Sequence, residues 1–140
     1  MKKCISCILL FLISCQGFSQ TQKKTILFIG AHPDDETAIG EVLTKYGKLG
    51  YKVIVMIATD GKNGTRVTKI PAGDSLGRLR KKETACSCER LGIEPPVFLS
   101  IERLDTKIGV GEYFKCHEQL SDSLKMKIPI INPDIIITFG

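Results

Sequence analysis

The chain has 140 residues, is 43% hydrophobic and 25% charged, and carries a formal charge of +5. These values describe one globular domain with enough apolar residues for a core, and they exclude a disordered or low-complexity chain. Lys2 and Lys3 fall in a leader, so the remaining basic excess is milder still; it gives no basis for nucleic-acid binding and permits only a weak preference for an anionic substrate.

Residues 1–19 read as a signal peptide. Met1-Lys2-Lys3 is basic, and residues 5–13 form an apolar stretch, interrupted by Ser6 and Cys7, that is too short to span a bilayer. Two processing routes are open. Gly17-Phe18-Ser19 places small residues for cleavage before Gln20, whereas Leu12-Ile13-Ser14-Cys15 is similar to a bacterial lipobox and would leave Cys15 lipidated. Either route predicts an exported protein: periplasmic, extracellular or lipid-anchored through Cys15. Residues 20–24 form a polar linker, and no later segment reads as a membrane span.

From there strands and helices alternate. Residues 25–29 are an apolar run that predicts a buried strand. Residues 36–49 predict a helix, with Ile39, Val42, Leu43 and Tyr46 at helical spacing and Gly50 as its stop. The run at 52–58, rich in β-branched residues, predicts a strand buried on both faces. A loop rich in Gly, Lys, Thr and Asp covers 59–75, and a second helix covers 76–91, ending at Gly92. After the turn Glu94-Pro95-Pro96 come a third strand at 97–101 and a loop through Gly111. A third helix lies near 112–127, and Asn132-Pro133 breaks the chain before a fourth strand at 134–139. Such alternation predicts an α/β, Rossmann-like domain: a mostly parallel sheet with helices on both faces, strand one central and strands one, two and four buried.

The chemistry is concentrated in the first strand-to-helix turn, Ala31-His32-Pro33-Asp34-Asp35-Glu36. In open α/β sheets ligands bind at the carboxyl ends of strands. His32 and Asp35, three residues apart, can turn one neutral nitrogen and one anionic oxygen toward a common point, which is half of a zinc site. Asp34 aims elsewhere and is free to take a proton from a water. A plainer reading makes Pro33 the first residue of the helix and the three acids its N-terminal complement. The glycine pattern of a dinucleotide site is absent, and a carboxylate pair here would repel a pyrophosphate.

Beyond the leader Cys86, Cys88 and Cys116 are an odd number. Cys86 and Cys88 fall on different faces of a helix, so no bridge between them is expected. One bridge with one free thiol stays possible, and three small buried hydrophobes is the preferred reading.

The six-residue turn resembles the opening motif of the PIG-L/LmbE family of zinc-dependent N-deacetylases. Thr59-Asp60-Gly61-Lys62-Asn63-Gly64 is similar to the family's T-x-G-x-x-G loop, Arg80-Lys81-Lys82-Glu83 to its R-x-x-E helix, Asp105 to an Asp after strand three, and Pro133-Asp134-Ile135-Ile136-Ile137-Thr138 to its P-D-V-V-x-T strand. The resemblance implies that His32 and Asp35 are zinc ligands, Asp34 the general base and Arg80 a substrate-contacting cation, although Arg80 can equally pair with Glu83 or Glu41. Asp60 reads best as a turn residue. The implied activity is zinc-dependent removal of the N-acetyl group from an N-acetylglucosamine-type sugar or conjugate. The family's third ligand is a His in an H-P-D-H-type motif after the fourth strand. Here the only other histidine, His117, sits on helix three at no matching position. Residues 25–140 are therefore expected to be the N-terminal part of such a domain, and the 140-residue chain an incomplete enzyme. The alternative is a non-catalytic carbohydrate-binding or structural α/β module that keeps the turn only as a helix cap.

Overall fold

Two uninterrupted apolar runs form the middle of the sheet. In a computed structural model that describes residues 23–66, 68–101 and 109–139, β1 (Thr25–Gly30) and β2 (Lys52–Ile57) pair in parallel, from Thr25 opposite Lys52 to Gly30 opposite Ile57. All but Ile29 in the first and Lys52 in the second are buried. Continuous apolar character is what a parallel strand covered on both faces requires. β3 (Val97–Phe98) pairs with β2, and β4 (Ile135–Thr138) pairs with the free side of β1, giving the order β3-β2-β1-β4, all parallel.

Helices cover both faces. On one, Ile26, Phe28, Val53, Val55 and Ile57 pack against Leu43 of α1 (Gly40–Lys48) and against Cys88 and Leu91 of α2 (Asp74–Leu91). On the other, Leu27, Ile54 and Met56 meet Leu124, Ile128 and Ile131 of α3 (Val110–Ile131). Burial of each such side chain contributes roughly 1.5–3 kcal/mol. None of the helices among the described residues is long and apolar enough to cross a membrane.

The expected α/β class and the central place of strand one hold, while several boundaries shift. The first helix is not continuous. A 3-10 segment, Asp35–Ile39, precedes α1, and the repeat breaks at Ile39 (φ −123°). Strand three stops early because Ser100 takes φ 54°, yet Leu99 and Ile101 still donate their N–H groups to Ile57 O and Ala58 O at 2.9 and 2.8 Å. The third helix runs on to Ile131 despite Pro129, because Ile128 and Ile131 are needed by the core. Asn132 then ends it in the left-handed region at φ 48°.

Strand four departs most from expectation: it is not a buried strand. Ile135 and Ile136 are 42% and 47% exposed. β4 is an edge with β1 as its single neighbour among the described strands, and only Ile137 joins the core. Its start is clamped firmly. Asp134 Oδ2 accepts the Thr25 N–H at 2.7 Å, and the Asp134 N–H donates to Thr25 O at 2.8 Å.

Candidate active site

The chain order turns back between β1 and β4. A cavity opens beside the carboxyl ends of these two strands, the kind of place where open α/β sheets take ligands. The turn after β1 lies there. Asp35 Oδ2 accepts the N–H groups of Ala31 and His32 at 2.6 and 2.9 Å, so the carboxylate folds back beneath the His32 backbone. Thr59, at the end of β2, binds Ala31 O through its N–H at 3.0 Å and its hydroxyl at 2.9 Å.

Gly30 is required by this closeness. A Cβ there would stand 2.9 Å from Asp35 Cβ and 3.1 Å from Ile57 Cδ1. Gly30→Ala is thus expected to displace Asp35 and to weaken zinc binding by about 10–100-fold, the usual effect of disturbing a ligand's support. Zinc titration of the folded variant checks this; unchanged affinity would remove Asp35 from the ligand set.

Asp34 has an unusual backbone, φ 109° and ψ −19°, which is rare for a residue other than glycine. Both of its peptide groups are engaged. Glu36 Oε2 accepts its N–H at 3.1 Å, and its C=O accepts the Thr37 N–H and hydroxyl at 3.0 and 2.7 Å. The Asp34 side chain makes no capping hydrogen bond, and Pro33 lies ahead of the helical segment rather than as its first residue. The plainer reading holds in part: Asp34 takes the N-cap position and Asp35 and Glu36 the first turn, but Pro33 is not the first helical residue. The exposed Asp34 side chain borders a pocket of about 500 Å³.

The far wall of that pocket is the loop after β2. Asp60 Oδ1 accepts the Lys62 N–H at 3.1 Å, an Asx turn, as its reading as a turn residue anticipates. Gly61 (φ 72°) lets the loop close against the Pro33 ring, where a Cβ would stand 3.1 Å away. Arg80 of α2 reaches the same pocket as His32 and Asp34, at a side-chain exposure of 17%. It meets Glu83 Oε2 and Gly64 O at 3.5 and 3.4 Å, both long contacts that leave its planar group available to a ligand. His32 also borders a second cavity, about 440 Å³ and apolar, between the end of β1 and Leu120, Leu124 and Phe139.

Beneath the turn Glu36, Thr84 and Cys88 are buried at 1%, 1% and 0% exposure. Burial and the negative charge of Glu36 push the Cys88 thiol up to about 11, so it is not a nucleophile at neutral pH. Cys86, Cys88 and Cys116, the three cysteines among the described residues, are free. Cys88 and Cys116 are buried as expected, but Cys86 is exposed, because it falls on the outer face of α2.

A metal can be tested against the donors present. His32 and Asp35 offer the nitrogen and oxygen that zinc takes, and Asp35 is oriented by two backbone donors. By donor chemistry they would furnish two of the three protein ligands usual for catalytic zinc. No cluster of three His, Cys, Asp or Glu occurs among the described residues. His117 is exposed on α3 and lines neither cavity, and Asp105 lies outside the described residues. Sequence reasoning missed Glu36 as the support of Asp34, and it missed Thr84. An acid in a helix's first turn is expected on electrostatic grounds alone, and a Thr within a helix carries no signal.

The profile of the PIG-L family, GlcNAc-PI de-N-acetylase, matches residues 27–140. Among curated proteins, the chain is 35% identical over 83 residues to the 1D-myo-inositol 2-acetamido-2-deoxy-alpha-D-glucopyranoside deacetylase of Kineococcus radiotolerans, covering 56% of this chain and 23% of that protein. The protein of the same name from Rhodococcus erythropolis is 34% identical over 97 residues, covering 64% and 30%. The chain thus spans less than a third of the length of these relatives. Two solved structures share the fold. N,N'-diacetylchitobiose deacetylase from Pyrococcus horikoshii, complexed with its inhibitor MPG, superposes with a TM-score of 0.54 at 24% identity, over 75% of this chain and 41% of its own. The 4-carboxy-2-hydroxymuconate hydratase GalB of Pseudomonas putida superposes with a TM-score of 0.58 at 20% identity, over 81% and 45%. A fold that carries both a deacetylase and a hydratase does not by itself select the reaction.

Proposed function

The chain belongs to the PIG-L family of GlcNAc-PI de-N-acetylases, and from that premise we propose that the whole protein removes the N-acetyl group of an N-acetylglucosamine-type sugar or conjugate with the help of zinc. The observation that carries this reading is the arrangement of the turn. Asp34 is held by its backbone with its side chain in no capping bond and at the rim of the 500 Å³ pocket beside His32, while the Asp35 carboxylate folds back onto the His32 N–H.

In this reading His32 and Asp35 hold the metal, and zinc held there would supply Lewis acidity, easing ionisation of a water and polarising the acetyl carbonyl. Asp34 accepts the proton of the attacking water and returns it to the departing amine nitrogen. Arg80 orients the sugar through its N–H groups from across the pocket. The leader adds a place: export to the envelope or beyond, where N-acetylated glycans are the natural substrates.

Acetate release from N-acetylglucosamine conjugates by the full-length protein tests this. Release should stop on removal of metal by a chelator and return with added zinc. Release that ignores the chelator would contradict the metal dependence, and no release with zinc loaded would contradict the reaction. One observation favours a second reading, a non-catalytic carbohydrate-binding module that keeps the turn only as a helix cap: Asp35 and Glu36 stand in the first turn of the helical segment, where acids complement its N-terminus. A zinc titration separates the two, since a helix-capping turn binds none.

A further inference from the structure

We propose that Glu36 is a positioning residue for Asp34: its buried carboxylate fixes the strained Asp34 peptide and so sets the direction of the Asp34 side chain. This rests on the reading of Asp34 as the proton acceptor.

The strain is local and large. A residue other than glycine at φ 109° costs on the order of 1–3 kcal/mol and persists only where its surroundings impose it. The bond from the Asp34 N–H to Glu36 Oε2 imposes it from one side, and Thr37 imposes it from the other. Glu36 is costly to keep where it is. It is 1% exposed and has no ion pair among the described residues. A buried carboxylate so placed is expensive unless it does something an apolar residue cannot. Packing alone would be served better by Leu or Met.

The surroundings are unusual as well. A cavity of about 120 Å³ lies between Glu36, Asp34, Arg80 and Thr84, and the buried Thr84 hydroxyl has no hydrogen-bond partner among the described residues. Space and an unpaired hydroxyl beside the carboxylate suit a bridging water. Such a water would tie Glu36 to α2 and stiffen the support.

Asp35 is held separately. Its carboxylate is oriented by Ala31 and His32, not by Glu36. Loss of Glu36 should therefore free the base and spare the metal pair, which separates a positioning role from a general structural one.

The test uses the full-length protein loaded with zinc. Glu36→Ala should lower kcat by about 10²-fold, the effect of misplacing a reacting group by about an ångström, with KM and zinc stoichiometry unchanged. Glu36→Gln keeps an oxygen that can accept the Asp34 N–H and should recover most of that loss. Should Glu36→Ala fail to fold, Glu36→Asp serves in its place. It is one methylene too short to reach the Asp34 N–H, and should lower kcat in the same way. Parental kcat in the folded Ala or Asp variant overturns the proposal. So does loss of zinc in step with rate, which would make Glu36 a support of the metal site. A Gln variant as slow as the Ala variant also overturns it, since the charge rather than the acceptor would then matter. Asp34→Asn, run alongside, distinguishes the levels. If it is inactive while Glu36→Ala is not, only the positioning role falls; if it turns over at the parental rate, the reading of Asp34 falls and takes the positioning role with it.

Discussion

Asp34→Asn is expected to lower kcat of the full-length protein by about 10²–10⁴-fold, the usual contribution of a general base, and to leave its zinc content intact. Asn preserves the shape of the side chain and is one of the few residues that tolerates the left-handed backbone of this position, so the turn survives the change. What it cannot do is accept a proton. The carboxylate at the pocket rim is then an amide, while His32 and Asp35 stay where they are. Steady-state acetate release and metal analysis of the same sample check both halves. A variant that turned over at the parental rate would strip Asp34 of its role.

The second large effect is expected at Asp35. Asp35→Ala removes the anionic half of the ligand pair and, with it, the acceptor of the Ala31 and His32 N–H groups. Disturbing only the support of a ligand weakens metal binding by about 10–100-fold, so loss of the ligand itself should weaken it by at least about 10²-fold. Activity falls with the metal, and excess zinc restores part of it. The fold should persist, because both donors sit on exposed residues where water can replace the carboxylate. Equal zinc affinity in Asp35→Ala and the parent, measured by competition with a chelator, would show that Asp35 is not a ligand.

Sequence carried the architecture because the forces behind it are local and periodic. Thr25 to Gly30 and Lys52 to Ile57 could hardly be anything but covered parallel strands, and Leu43, Cys88 and Leu91 fall where helix periodicity puts them. The place of the His-Pro-Asp-Asp-Glu turn was legible for a related reason: it follows an apolar run, and it does lie at the carboxyl end of β1. Where sequence failed, the deciding interaction was distant or contrary to local preference. Ile135 and Ile136 are as apolar as any core strand, but burial is decided by neighbours, and β4 has one among the described strands. The break at Ile39 and the end of α3 beyond Pro129 were set by packing, not by propensity. Asp34 could not be foreseen at φ 109°, because nothing in His-Pro-Asp-Asp asks for it. Glu36, two residues on and turned inward, accepts the Asp34 N–H, and Thr37 donates to the Asp34 carbonyl.

The clamp between Thr25 and Asp134 has a consequence for how the molecule is made. It joins residues 109 positions apart. Closing so long a loop carries a large entropic cost, and contacts of this separation form late in folding. The face that opens the crevice beside His32 therefore comes into being only when nearly all of this chain is available. Until then β1 can pair on one side alone. The turn after β1 is made early, but the apolar cavity between the end of β1 and Phe139 closes last.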